Sequence, residues 1–257
     1  MLPRRSIVAL ALLAGCHTAS PPNCARVPPQ AGCTRVLFIG NSYTFANDLP
    51  GTFTRLARAM GHAAYDDMIA AGGATLADHA RSAEVLQKIR TGRWTYVVLQ
   101  EQSLLPAFPE SRDQQMYPAV RALVDEVRRA GAQPVLFSTW GRRTGWPERG
   151  VTDYASMQAR VTEGYQTIAR ELDLAVAPVG DAWAAVTMAD PDIPLFQSDG
   201  SHPTVQGTFL AANVLAATLL HDVPRGLGAP GSLSDEQARR LQQAAIRATT
   251  RPASSGR

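Results

Sequence analysis

The sequence predicts an α/β domain, a parallel sheet with helices on both faces, and three observations lead there. From Thr34 onward, short β-branched runs alternate with amphipathic segments. In the longer segments the apolar residues recur at helical spacing. No internal repeat, second composition or long linker divides residues 34–250, so a single domain accounts for them.

In chain order, the expected strand Arg35–Ile39 carries the unbroken apolar run Val36–Ile39 of the kind a fully covered strand shows. Phe53, Leu56, Ala57 and Met60 mark a helix, and a weaker strand falls at Ala64–Ile69. Tyr96–Leu99 is the next strand, followed by a helix on Met116, Val120, Leu123, Val124 and Val127. After the strand Pro134–Ser138, a long helix carries Tyr154, Met157, Val161, Tyr165, Ile168 and Leu172, and Leu174–Val179 is the last strand. A helix from Pro203 towards Leu220 has Pro in its first turn, Ser234-Asp-Glu opens one running towards Thr249, and 251–257 is a fraying tail.

Composition excludes several function classes. At 257 residues, 45% hydrophobic and 18% charged, the chain builds a sizeable core and is not a disordered protein. A net charge of +3 is too small for a nucleic-acid binder. The apolar stretch Ile7–Leu13 is far short of the roughly 18 residues of a spanning helix.

That stretch follows Arg4-Arg5 and precedes Ala14-Gly15-Cys16, the order of a secretory signal. Leu13-Ala14-Gly15-Cys16 resembles a bacterial lipobox, which implies a signal peptide over 1–15 and a lipid on Cys16. Residues 16–33, rich in Pro, read as a tether to the domain 34–250. His17 stands where Asp marks inner-membrane retention, so the expected location is the periplasmic side of the envelope, at the outer membrane, with the lipid as the only membrane contact. Sec and twin-arginine export both stay open. Cys24 and Cys33 form a disulfide in an oxidising compartment or remain two free thiols.

The chemistry lies at two places. Gly40-Asn41-Ser42 ends the first strand and delivers a Ser to the sheet edge where α/β ligands bind. Far downstream, Asp199 and His202 are three residues apart on a turn, so the carboxylate can hold one imidazole nitrogen while the other acts as base. Without Ser42, Asp199 and Ser201 would read as helix caps.

Gly40-Asn41-Ser42 near the start and Asp199-x-x-His202 near the end resemble the first and last motif blocks of the SGNH/GDSL hydrolase superfamily. The resemblance implies a three-layer α/β/α sandwich with a flavodoxin-like parallel sheet. It further implies a serine esterase acting on acyl esters, acetyl among them, with Ser42 as nucleophile and His202 and Asp199 completing a triad. Gly73, in Ala71-Gly72-Gly73-Ala74-Thr75, falls where the superfamily places an oxyanion N–H, alongside that of Ser42. Asn41 departs from the usual Asp of block one. In block three Gln100-Glu101-Gln102-Ser103 replaces Gly-x-Asn-Asp, and Gln102 takes the Asn position as oxyanion donor, with Gln100 as rival. No metal or organic cofactor is implied.

Trp140, Arg142 and Trp146 follow the fourth strand and are candidates for binding a small-molecule or glycan ester; anchoring core and solvated surface are the competing roles. Gly226-Leu-Gly228-Ala-Pro-Gly231 follows a helix and contains Pro, so it is no dinucleotide fingerprint. Lone His62, His79 and His221 have no ligand-spaced partners. The competing function is a non-catalytic glycan- or ligand-binding lipoprotein on the same fold, and oligomeric state is left open.

Overall fold

The computed structural model describes residues 22–222 and 233–250. The leader, Cys16 with the first tether residues, the Gly226–Gly231 stretch and the tail 251–257 lie outside the described residues.

Five strands form one sheet: β1 (Thr34–Gly40), β2 (Ala64–Ala70), β3 (Tyr96–Leu99), β4 (Gln133–Phe137) and β5 (Ala175–Ala177). All neighbours run parallel, in the order β2-β1-β3-β4-β5, which is the flavodoxin-like order. After β1 come α1 (Ser42–Phe45) and α2 (Leu49–Ala59), and after β2 come α3 (Leu76–Arg81) and α4 (Ala83–Thr91). α5 (Tyr117–Arg129) follows β3 and α6 (Tyr154–Leu172) follows β4. α7 (Val179–Ala189), α8 (Val205–Leu220) and α9 (Asp235–Thr250) follow β5.

The period of two along β1 divides its side chains between two cores. Val36 and Phe38 join the core under α2, α7, α8 and α9, while Leu37 and Ile39 join the one under α3, α4, α5 and α6. The result is three layers. Helix α8, VQGTFLAANVLAATLL, has no charged residue because it is covered on one side by α2 and on the other by α9. Among the described residues no helix is long and apolar enough to cross a membrane.

The first four strands lie within one residue of their expected bounds, and two boundaries differ by more. β5 is shorter because the Leu174 N–H closes α6 by donating to Ala169 O, and Pro178 has no N–H for the ladder. α8 begins after Pro203, since Thr204 caps it by accepting from the Gly207 N–H.

Cys24 and Cys33 are joined in a disulfide. Arg35 ties that loop to the domain: it is 3% exposed, and its guanidinium lies against the rings of Tyr65 at 4.4 Å and Trp94 at 4.8 Å. It donates to Gly92 O at 3.0 Å and to Cys24 O. Within the segment read as tether, Cys24 is thus buried against the domain, while residues 25–28 and 30–32 are exposed. Replacing both cysteines by Ala is expected to cost about 2–3 kcal/mol by the chain-entropy estimate for so short a loop. That lowers Tm by roughly 5–10 °C in a chain of this size. Thermal melts of the two forms check this, and equal Tm values would refute it.

Candidate active site

The site lies at the carboxyl edge of the sheet, the edge at which α/β folds bind ligands. β1 stops at Gly40, where an added Cβ would lie 2.4 Å from both Gln100 Oε1 and Thr44 Oγ1, so glycine alone fits. Asn41 then caps α1 by accepting from the Tyr43 N–H at 3.2 Å, and Ser42 is the first helical residue. His79, expected as an unassigned histidine, is buried behind this turn and donates from Nε2 to Gly40 O at 2.7 Å.

The turn before α8 brings the other two groups to the same place. Asp199 Oδ1 accepts from the N–H groups of Ser201 at 2.9 Å and His202 at 3.0 Å, and Oδ2 accepts from His202 Nδ1. Burial pushes the Asp199 carboxyl up, but these hydrogen bonds outweigh it and hold the group at about 2. With Nδ1–H held by Asp199, Nε2 is the acceptor, and the Ser42 hydroxyl donates to it at 2.9 Å.

Gly73, at φ +71°, and Gln102 line the cleft with Asn41, Ser42, Tyr43, Ser103, Arg142, Ser201 and His202. Gln102 Oε1 accepts from the Leu104 N–H at 2.7 Å, so its NH2 is the end towards the cleft, where it makes only a long bond of 3.5 Å to Ser103 Oγ. Gln100 is otherwise engaged. Fully buried, it accepts at Oε1 from Asn41 N–H at 3.0 Å and Thr44 Oγ1–H at 2.8 Å, and donates from Nε2 to Asn41 Oδ1 at 3.0 Å. Asn41 Nδ2 donates onward to Ala74 O at 3.0 Å, beside Gly73.

No role is read for Glu101 from the sequence. It is fully buried, and Oε1 accepts from Leu76 N–H at 3.1 Å and Gln102 N–H at 2.6 Å, joining the Gly73 loop to the Gln102 loop. Oε2 has no partner. Burial raises the carboxyl to about 7 against the lowering effect of those two bonds.

Two of the three specificity candidates are corrected. Trp140 is 0% exposed, stacked between Tyr43 at 4.4 Å and Trp183 at 3.9 Å, and its indole N–H donates to Ser201 O at 2.9 Å. It is core that supports the Asp199–His202 turn. Trp146 is half-buried and does not line the cleft; it carries the Arg142 guanidinium, whose Cζ lies 4.5 Å from the ring. Arg142 alone of the three reaches the cleft. A larger hollow of about 260 Å3 opens at the other end of the sheet, around Gln133 and Leu174, and is lined by no nucleophile or imidazole.

A protein from Slackia heliotrinireducens assigned to the SGNH hydrolases shares this fold at 31% identity and TM-score 0.63, over 73% of this chain and 99% of that one. The chain belongs to the SGNH hydrolase superfamily. No family model matches this SGNH hydrolase, and no curated protein does. A DUF4886 family protein from Bacteroides uniformis superposes at TM-score 0.69 with 18% identity, over 84% of this chain and 95% of that one. An acetyl-xylooligosaccharide esterase from Geobacillus, in mutant form, superposes at TM-score 0.56 with 16% identity, over 72% and 94%. At these identities the likeness is one of fold.

The raised carboxyl of Glu101 makes the stability of this SGNH hydrolase depend on pH. A carboxyl whose folded pKa lies above its ordinary value favours folding in its protonated form. That contribution is fully present below the ordinary value of 4.5 and is lost as pH rises through about 7. The span corresponds to something on the order of 3 kcal/mol. Glu101→Gln removes the titration, so between pH 4.5 and 7.5 wild type should lose stability relative to the variant. Urea unfolding of both across that range checks it, and a stability difference independent of pH would count against a titrating Glu101.

Proposed function

We propose that this SGNH hydrolase is a serine esterase that hydrolyses short acyl esters through Ser42, His202 and Asp199. The observation that carries the reading is His202 bridging the two others, with Nδ1 on the Asp199 carboxylate and Nε2 2.9 Å from Ser42 Oγ. Ser42 Oγ attacks the ester carbonyl carbon as its proton passes to Nε2. The negative charge forming on the carbonyl oxygen is received by the N–H groups of Ser42 and Gly73 and the Gln102 NH2. Collapse breaks the ester bond, and the leaving alkoxide takes the proton from Nε2. Water then attacks the acyl-Ser42, giving its proton to Nε2, and the carboxylic acid departs as Ser42 is re-protonated.

The cleft, about 160 Å3, is smaller than the roughly 300–1,000 Å3 of sites that enclose a drug-sized ligand, which favours a small acyl group. An acetyl ester of a glycan is in keeping with the acetyl-xylooligosaccharide esterase that shares the fold. In this reading Leu13-Ala-Gly-Cys16 directs lipidation of Cys16, so the enzyme works on the periplasmic side of the envelope, at the outer membrane.

Ser42→Ala and His202→Ala should each remove most of kcat on a short-chain chromogenic ester, and the double variant should cost little more, since the groups act as one unit. Gln102→Ala should lower kcat by roughly 10²- to 10³-fold with little change in KM, because its bond strengthens only as the oxyanion forms. Steady-state kinetics on folded variants decides; wild-type turnover in Ser42→Ala would end the proposal. Lipidation is tested separately by fractionating cells: wild type should follow the membranes, and Cys16→Ala should remain unprocessed or soluble. Equal behaviour of the two would remove the anchor.

A further inference from the structure

We propose that Arg142 is a specificity residue and that the ester taken by this cleft carries a carboxylate close to the scissile bond. The proposal rests on the esterase reading and names the substrate class.

Arg142 lines the cleft together with Ser42, Gln102, Ser103 and His202. The guanidinium lies over the Trp146 ring, with Cζ 4.5 Å from the centroid, so its plane is set before any ligand arrives. Its donors are almost unsatisfied. Among the described residues its side chain donates one hydrogen bond, a long one of 3.4 Å from Nη2 to Ser103 Oγ, and its buried Nε has no partner. Among the described residues no carboxylate lies within ion-pair distance of it. The buried arginines elsewhere are different: Arg35 donates to Gly92 O and Cys24 O, and Arg112 to Pro106 O, Arg160 O and Glu163.

A guanidinium partly withdrawn from water with donors unmatched is unfavourable until an anion meets it, and a carboxylate matches its planar fork with two parallel hydrogen bonds. A neutral ester would leave those donors unmatched. The cleft is about 160 Å3, so a group that reaches Arg142 while its ester carbonyl sits at Ser42 must have the two only a few bonds apart. Both an acidic acyl chain and an acidic alcohol, such as a uronic acid bearing an O-acetyl group, meet that description.

Two matched pairs of esters test the proposal. The 4-nitrophenyl ester of succinate against that of monomethyl succinate places the charge on the acyl side. O-acetylglucuronate against O-acetylglucose places it on the alcohol side. In at least one pair, wild type should prefer the charged member by roughly 10- to 100-fold in kcat/KM, the range of a charge-assisted hydrogen bond. The ratio should fall towards one in Arg142→Gln and recover partly in Arg142→Lys, with folding checked by thermal melts. A wild-type ratio near one in both pairs, or a ratio unchanged in Arg142→Gln, overturns the proposal.

Binding provides the readout that does not need turnover. Tryptophan fluorescence of Ser42→Ala should respond to glucuronate or succinate, because Trp146 lies under the guanidinium, and not to glucose; the response should vanish when Arg142→Gln is added. Turnover of neutral esters with neither charge preference nor carboxylate binding leaves the esterase reading standing and removes this one. Carboxylate binding through Arg142 without hydrolysis of any ester removes the esterase reading and the substrate assignment with it, and leaves only a carboxylate-binding cleft.

Discussion

The reciprocal amide pair of Asn41 and Gln100 is the interaction on which the site depends. It joins the end of β1 to the end of β3 by two hydrogen bonds of 3.0 Å, Asn41 N–H to Gln100 Oε1 and Gln100 Nε2 to Asn41 Oδ1. Asn41 Nδ2 extends the connection to Ala74 O in the loop after β2. The three loops carrying Ser42, Gly73 and Gln102 are thereby fixed to one another from behind. The two departures from the usual superfamily blocks, Asn41 and Gln100-Glu101-Gln102, belong to this one network. An Asp at 41 would have no donor for Ala74 O, whereas Asn offers a donor to that carbonyl and an acceptor to Gln100. Gly40 completes the constraint, since any side chain there would collide with the Gln100 amide.

Much of the fold was legible because a covered parallel sheet leaves plain marks. The apolar run of β1 and the helical stripes of α5 and α6 are set by burial alone, and burial is what hydrophobic pattern records. β5 was over-read, since its end depends on where Leu174 N–H and Pro178 fall relative to α6, a matter of hydrogen-bond partners rather than apolarity. That Ser42, Asp199 and His202 meet was legible because their residue types and order suggest one hydrogen-bonded set, and such a set is formed. Trp140 was not, because a tryptophan in a loop looks the same in sequence whether its ring meets solvent or slots between Tyr43 and Trp183. Glu101 was not legible either, since nothing in the residue type says that its carboxyl faces the protein interior.

Electrostatics within the site divides between two carboxyls in opposite circumstances. Asp199 is exposed and receives three N–H groups, so its charge is held and its orientation fixed. Glu101 is fully buried with half its acceptors unmatched, so its charged form is disfavoured. Hydrogen-bond count against desolvation decides the sign in each case. The carboxyl that faces the imidazole is the one kept ionised, and the one behind Gln102 joins loops.

The alignment of Ser42 with His202 follows from a pairing of neighbours. Ser42 and Tyr43 are adjacent on α1, Ser201 and His202 are adjacent on the turn, and they meet as two parallel pairs: Ser42 with His202 at 2.9 Å and Tyr43 hydroxyl with Ser201 Oγ at 2.7 Å. Trp140 holds the same turn from beneath through Ser201 O, while its ring supports the Tyr43 ring. A shift of the turn that lengthened the Ser42–His202 contact would therefore also disturb the Tyr43–Ser201 bond and the Trp140 anchor. Misplacement of reacting groups by about 1 Å is enough to cost on the order of 10²-fold in rate, so a second, buried bond one residue away is an effective way to hold the first. The aromatic column of Tyr43, Trp140 and Trp183 thus does for His202 what the Asn41–Gln100 pair does for Ser42, and the two supports meet at α1.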